Sequence, residues 1–245
     1  MENKFYIIVP VYNAIYSGNN YIENCLSSIL SQTYKNYEVV VIDDCSTDGT
    51  WETIQKYPFH KLRNENWTGE GSENMLKAVR HLPMKSTDIL VIVDGDDWLA
   101  GDFVLDHLNE VYQRQHTWIT YGQMCFLSNM NLTFCRRVIH TFNYRREGNW
   151  CTSHLKTYRR GLFDRIKDQD LRGPDGRYAI TGDLAKMYPM LEMAGPKRSK
   201  FIERVLYIYN DCHPPGNFGM DRLVRDQNHI RALKPYNLLS IDTVL

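Results

Sequence analysis

The sequence has no surplus of charge of either sign: Lys plus Arg number 29 and Asp plus Glu number 29 among 245 residues. Nucleic-acid binders usually carry a basic excess, so no nucleic-acid partner is expected. Long hydrophobic runs are also missing. The longest, Phe5–Tyr12, has eight residues and contains Pro10, far short of the ~20 that cross a bilayer, so no membrane span is expected. Glu2 and Lys4 precede that run and no cleavage-site pattern follows it, which predicts no secretory leader and a cytoplasmic protein. The six cysteines show neither CxxC nor zinc-ligand spacing, so they read as reduced packing residues. No GxGxxG follows the first apolar run, which argues against a dinucleotide oxidoreductase. No repeat and no Pro/Gly/Ser-rich linker divides the chain, and 43% hydrophobic with 24% charged residues is globular composition.

What is present alternates between two periodicities. Phe5–Val11, Tyr37–Ile42 and Asp88–Val93 are short apolar runs of strand length, with a weaker one at 59–63. Between them, Tyr21, Ile22, Cys25, Leu26, Ile29 and Leu30 recur at helical spacing, with Asn20 as N-cap and Glu23 three residues on. A short helix is expected over 50–57, and another beginning at a Ser72 cap and ending before Pro83. Strands alternating with helices predict βαβ units and a mostly parallel α/β sheet, whose ligands bind beyond the carboxyl ends of the strands. In the second half, 118–127, 132–141 and 201–209 read as strands. There 154–166, 182–193 and 222–233 read as helices, with Gly195-Pro196 closing the second.

The strand exits carry the chemistry. Asp94-Gly-Asp-Asp97 places three carboxylates in four residues after an apolar strand. Left alone they repel one another; a hard divalent cation, Mg²⁺ or Mn²⁺, relieves that, and Gly95 lets the backbone approach a ligand closely. Asp97 alternatively caps the next turn. Asp43-Asp44 leaves an equally apolar strand, either as an Asx turn or as an acceptor for a base or ribose. Charge is also uneven along the chain. Seven acids and no Lys or Arg occupy 88–110, whereas nine bases and two acids occupy 136–167, including Arg136-Arg137, Arg145-Arg146 and Arg159-Arg160. The doublets are expected either to meet solvent or to bind an anion.

Four segments together, Val9-Pro-Val-Tyr-Asn13, Ser27-Ser-Ile-Leu-Ser-Gln-Thr33, Tyr37 to Thr50 and Val91-Ile-Val-Asp-Gly-Asp-Asp97, resemble the family 2 glycosyltransferases of GT-A fold over about 100 residues. The resemblance implies one GT-A domain over 1–245, with 1–98 as the nucleotide-sugar half and 99–245 as the half for acceptor and catalytic base. It also implies an inverting enzyme with a nucleotide-sugar donor (UDP by family habit), a glycan or other hydroxyl acceptor, and Mn²⁺ or Mg²⁺. Pro10, Val11 and Tyr12 would meet the base, Asp44 and Asp43 would hydrogen-bond it, and Asp94 with Gly95 would face ribose or sugar. The metal would rest on Asp96, Asp97 or both, helped by a late His213. The glycine-rich segment of the family is matched loosely by Asn66 to Asn74, with Glu73 where an arginine is common. Ile180-Thr-Gly-Asp-Leu-Ala185 resembles the acidic position opening the acceptor-side helix, with Gly182 where the family often has Glu; Asp183 is therefore the expected general base, an N-cap, or both. His154 would line the acceptor cleft. The competing readings are a binding module without catalysis and a phosphate-acting α/β hydrolase.

Overall fold

A computed structural model of the chain describes residues 2–114, 116–139, 144–148, 150–212, 219–240 and 243. Strands β1 (Phe5–Val11), β4 (Tyr37–Asp43), β5 (His60–Arg63) and β6 (Ile89–Ile92) alternate with helices α1 (Tyr21–Leu30), α2 (Thr50–Ile54) and α3 (Gly71–His81). A two-residue hairpin pair, β2 (Ile15–Tyr16) and β3 (Asn19–Asn20), sits between β1 and α1. Then follow β7 (Trp98–Leu99), α4 (Val104–Arg114), β8 (Ile119–Phe126), the short α5 (Tyr144–Glu147), β9 (Lys156–Arg159) and α6 (Arg160–Phe163). A 3₁₀ turn at Asp168–Leu171 leads to α7 (Gly182–Arg198), β10 (Ser199–Tyr209) and α8 (Met220–Ala232).

Both halves feed one eight-stranded sheet of order β5-β4-β1-β6-β9-β8-β10-β7. The β5/β4/β1/β6 block is parallel, as is β8/β10, while β9 runs antiparallel to β6 and β8 and β7 antiparallel to β10. The side-chain period of two divides β1 between two cores. Tyr6 and Ile8 face the layer of α3 and α7, while Phe5, Ile7, Val9 and Val11 face that of α1 and α4.

Several local expectations hold for the physical reason given. Asn20 caps α1 through a bond from the Glu23 N–H (3.2 Å), and its own amide donates back to Glu23 (3.1 Å). Gly195, at φ 62, breaks α7 where Gly195-Pro196 was expected to end it. Others give way. Residues 154–166 are not one helix: 156–159 form β9, because the strand is needed between β6 and β8, and only 160–163 turn helical. Its buried Thr157 hydroxyl is satisfied by Tyr112 (2.8 Å) and Thr120 (2.6 Å). Residues 132–139 form no strand; a single bridge joins Leu132 to Cys125, and 140–141 lie outside the described residues. Ser72 lies inside α3, which is preceded by Glu70 rather than capped by serine. Among the described residues no helix is long and apolar enough to cross a membrane.

Candidate active site

Strands β1, β4 and β6 run parallel and so end at one edge of the sheet. Because β9 is antiparallel, it begins at that same edge, and its first residue Lys156 pairs with Ile92, two positions before Asp94. The start of α7 also arrives there. The result is a cavity of about 390 Å³ lined by Pro10, Asp94, Trp150, Thr181, Asp183 and Lys186 among others. Asp94 and Asp183, which are 89 positions apart in the chain, share its wall.

The Asp94–Asp97 turn is fastened from behind. The Tyr207 hydroxyl accepts from the Asp94 N–H (3.0 Å) and donates to Asp97 (2.8 Å), and the Asn210 N–H donates to the other Asp97 oxygen (2.7 Å). Burial, then the charges of Asp97 and Asp94, push the Tyr207 phenol well up, so it stays a donor. Gly95 does permit a close approach, but to the protein: a Cβ there would lie 2.4 Å from Val11 Cβ. That corrects the expectation that Gly95 makes room for a ligand. It also explains why Val11, expected at the nucleotide, is buried in the core instead; strand alternation turns Pro10 to the cavity and Val11 away.

Asp94, Asp97 and His154 each offer one ligand atom, all within 4.8 Å of one another. Half-buried Asp96 lies beside them; burial and then the charges of Asp96 and Asp94 push the Asp97 carboxyl well up. Carboxylate crowding of this kind, with oxygen and imidazole donors converging, fits a divalent cation. Each Asp97 oxygen also accepts one hydrogen bond that fastens the turn. His213 lies outside the described residues. His154 differs from expectation: it is buried, bonded to Asp94 (3.1 Å) and stacked on Tyr207 at 4.6 Å, so it backs the acidic turn rather than lining an acceptor surface. Burial would raise the Asp94 carboxyl, but the His154 contact and the nearby Lys156 ammonium hold it below the ordinary value.

Asp183 is the second residue of α7; Thr181 occupies the N-cap position, so the capping role for Asp183 is set aside. Its carboxylate accepts from the Lys156 ammonium at 2.6 Å, and Lys186 stands 4.0 Å from the other oxygen. Burial alone would raise this carboxyl, but the two lysines hold it well below the usual carboxylate range. A Cβ at Gly182 would meet Ser72 Oγ at 2.1 Å.

The two acids of the second strand exit face inward. Asp43 is wholly buried, accepting from the Ser46 N–H (3.2 Å) and pairing with Arg63 Nε (3.0 Å); it holds a turn, which corrects its expected place at a nucleotide. Asp44 is bonded to the 64–69 segment by Asn64, Thr68 and Gly69. Tyr12 is exposed beside the exposed Trp67, their ring centres 5.8 Å apart. The arginine doublets are partly structural: Arg145 is buried against Glu192 (2.7 Å), and Arg159 and Arg160 bond Thr117 and Asp164. Sequence reasoning missed Lys156, Lys186, Tyr207 and Trp67. Only Tyr207 carried a signal, its place in the apolar run of β10.

The profile of Glycosyl transferase family 2 matches residues 6–167, about two thirds of the chain. Glycosyltransferase GlyA of Streptococcus pneumoniae is 37% identical over 106 residues, 42% of this chain and 14% of that protein. Poly(ribitol-phosphate) beta-N-acetylglucosaminyltransferase TarS of Staphylococcus aureus is 32% identical over 119 residues, 44% of this chain and 20% of its own length. This chain thus aligns with a small part of these relatives. Among solved structures, TarS 1–349 with UDP superposes with a TM-score of 0.65 at 22% identity, covering 84% of this chain and 60% of that one. Mannosyltransferase PcManGT of Pyrobaculum calidifontis, with GDP-Man and Mn²⁺, gives 0.61 at 20% identity, covering 96% and 66%. At such identities these likenesses speak to the fold alone, a GT-A α/β architecture; the profile match, spanning all three acidic and aromatic strand exits, shows that the chain belongs to glycosyl transferase family 2.

Proposed function

We propose that the chain transfers a sugar from a nucleotide-sugar donor to a hydroxyl acceptor with inversion at the anomeric carbon. The observation that carries this reading is the shared cavity: the acidic turn of Asp94 and the carboxylate of Asp183 converge on one space of about 390 Å³. The donor half is 1–98 and the acceptor half 99–245, acting as one unit.

Pro10 and Tyr12 flank the nucleotide end and Asp94 accepts from ribose or sugar hydroxyls. Thr181 adds a buried hydroxyl with no bond within the described protein, a hydrogen-bonding group suited to a sugar. Asp183 takes the proton of the acceptor hydroxyl as its oxygen forms a bond to the anomeric carbon. The bond from that carbon to the diphosphate breaks, and the electron pair leaves with the nucleoside diphosphate. Lys156 and Lys186 hold the base in place from behind. Asp94, Asp96 and Asp97 with His154 are the residues that would hold Mn²⁺ or Mg²⁺, which when bound supplies positive charge to the diphosphate.

UDP is the proposed nucleotide. The UDP complex of TarS supports it, while the GDP-Man complex of PcManGT makes GDP the comparison. The test is NMR of the released sugar or glycoside when the protein is given UDP- and GDP-sugars with Mn²⁺. Transfer or slow hydrolysis with inverted configuration is expected; a retained configuration would refute the single-displacement reading.

A further inference from the structure

We propose that Lys186, Thr181 and the opening turn of α7 form an anion subsite in the cavity of Asp94 and Asp183, and that this subsite takes a carboxylate carried by the donor sugar or by the acceptor. The inference rests on the reading of the chain as a glycosyltransferase and narrows its substrate class.

The charges around the cavity do not close among themselves. Three acids line it, and each has a basic partner at hydrogen-bond distance. Glu70 accepts from Arg222 (2.9 Å), Asp94 is bonded to His154 (3.1 Å) and Asp183 accepts from Lys156 (2.6 Å). Lys186 is the cation among the described residues that line the cavity, and its contacts are poorer. Its ammonium donates to Met75 Sδ at 3.5 Å, a weak acceptor, and the Asp183 oxygen it faces is 4.0 Å away. An ammonium has three protons, so the protein spends its donors on Lys186 only in part. The residue is 8% exposed, and burial pulls its pKa below the ordinary value against the opposing charge of Asp183. A buried charge in that state gains from an anion that brings short hydrogen bonds with it.

Further donors converge on the same place. Thr181, 6% exposed, has a buried hydroxyl with no hydrogen bond within the described protein. It holds the N-cap position of α7 without a side-chain capping bond, so it leaves the first backbone N–H groups and the positive end of the helix to another acceptor. A Cβ at Gly182 would come within 2.1 Å of Ser72 Oγ and 3.6 Å of Lys186 Nζ, so both polar atoms lie against the glycine between them. Ser72, Thr181, Gly182 and Lys186 all line the cavity. Two hydroxyls, an ammonium and a helix start can all donate at once, which suits the two oxygens of a carboxylate better than a neutral hydroxyl. The short Lys156 contact offsets the charge of Asp183 beside them.

The experiment is calorimetric titration in Mn²⁺ of wild type, Lys186→Met and Thr181→Val. UDP-glucuronic acid is compared with UDP-glucose as donor. With UDP present, methyl glucuronide is compared with methyl glucoside as acceptor. In wild type one pair should show a preference of ~10- to 100-fold for the carboxylate form, and the pair that shows it assigns the anion to donor or acceptor. Lys186→Met, close in shape, should abolish the preference, and Thr181→Val should reduce it. A merely structural role would weaken both members of a pair alike, so the ratio is the quantity read. No preference in either pair, or a preference undiminished in either variant, overturns the inference. So does an equal loss of UDP and both UDP-sugars in Lys186→Met, which would place the ammonium on the diphosphate. Each of these leaves the glycosyltransferase reading intact; a wild type that binds neither UDP nor a UDP-sugar overturns both.

Discussion

Asp183 meets the cavity as a carboxylate with an ammonium 2.6 Å away, and that pairing sets its proton affinity. Burial would push its pKa up; Lys156 first and Lys186 second hold it well below the usual range. The group therefore stays ionised through mildly acid pH, and its own protonation limb falls below that range. Lys156→Met removes the larger of the two opposing charges. The acid limb of kcat/KM against pH should then move upward, because burial is less opposed, and a profile superimposable on wild type would separate Lys156 from the base. Gly95 is a second residue whose identity is dictated by a neighbour. Gly95→Ala drives a methyl into Val11, 2.4 Å away, in a turn fastened by Tyr207. A loss of roughly 1–3 kcal/mol in chemical denaturation is expected, the usual range for overpacking.

The 64–69 loop and strand β9 are the elements that complete the site, and they were the least legible. The continuous apolar runs of β1, β4 and β6 announce buried parallel strands, so their ends, Asp43-Asp44 and Asp94–Asp97, could be read as ligand-facing exits. Strand β9 could not: Leu155, Tyr158, Leu162 and Ile166 mimic helical spacing, and Lys156 reads as a surface residue until sheet pairing buries it to 3%. The inward turn of Asp43 was equally hidden, since only the fold supplies Arg63 as its partner. Trp67 stood in a segment with no periodicity. For the loop, the Asp44 carboxyl provides a pH test. Burial opposes ionisation, but the bonds from Asn64, Thr68 and Gly69 bring its pKa below the ordinary 3.8. A folded-state pKa below the unfolded one means that its stabilisation is full above that ordinary value and is lost as pH falls through the lowered one. The melting-temperature gap between wild type and Asp44→Asn should hold from pH 7 to about 5 and shrink towards pH 3. A gap independent of pH would show that the carboxylate is not what holds the loop.

At the scale of the whole molecule, the antiparallel β9 joins the parallel strands of the first half to those of the second and brings both to one sheet edge. Three carboxylates in the Asp94–Asp97 turn, with the Asp97 carboxyl driven well up by burial and its neighbours, describe a site that favours added positive charge. Mn²⁺ with UDP should therefore raise the melting temperature by mass action, EDTA should abolish the rise, and Asp96→Ala should lose it at little cost to the unliganded fold. An equal rise in EDTA would remove the cation from the account. In the proposed mechanism donor binding belongs to the acidic turn and proton removal to Asp183. Asp183→Asn separates them, read per folded molecule because the change leaves the buried Lys156 without its carboxylate and lowers the melting temperature. UDP affinity in Mn²⁺ should stay near wild type while turnover with the donor sugar falls by ~10²–10⁴-fold; unchanged turnover, or a loss of UDP affinity that accounts for the whole fall, would contradict the assignment.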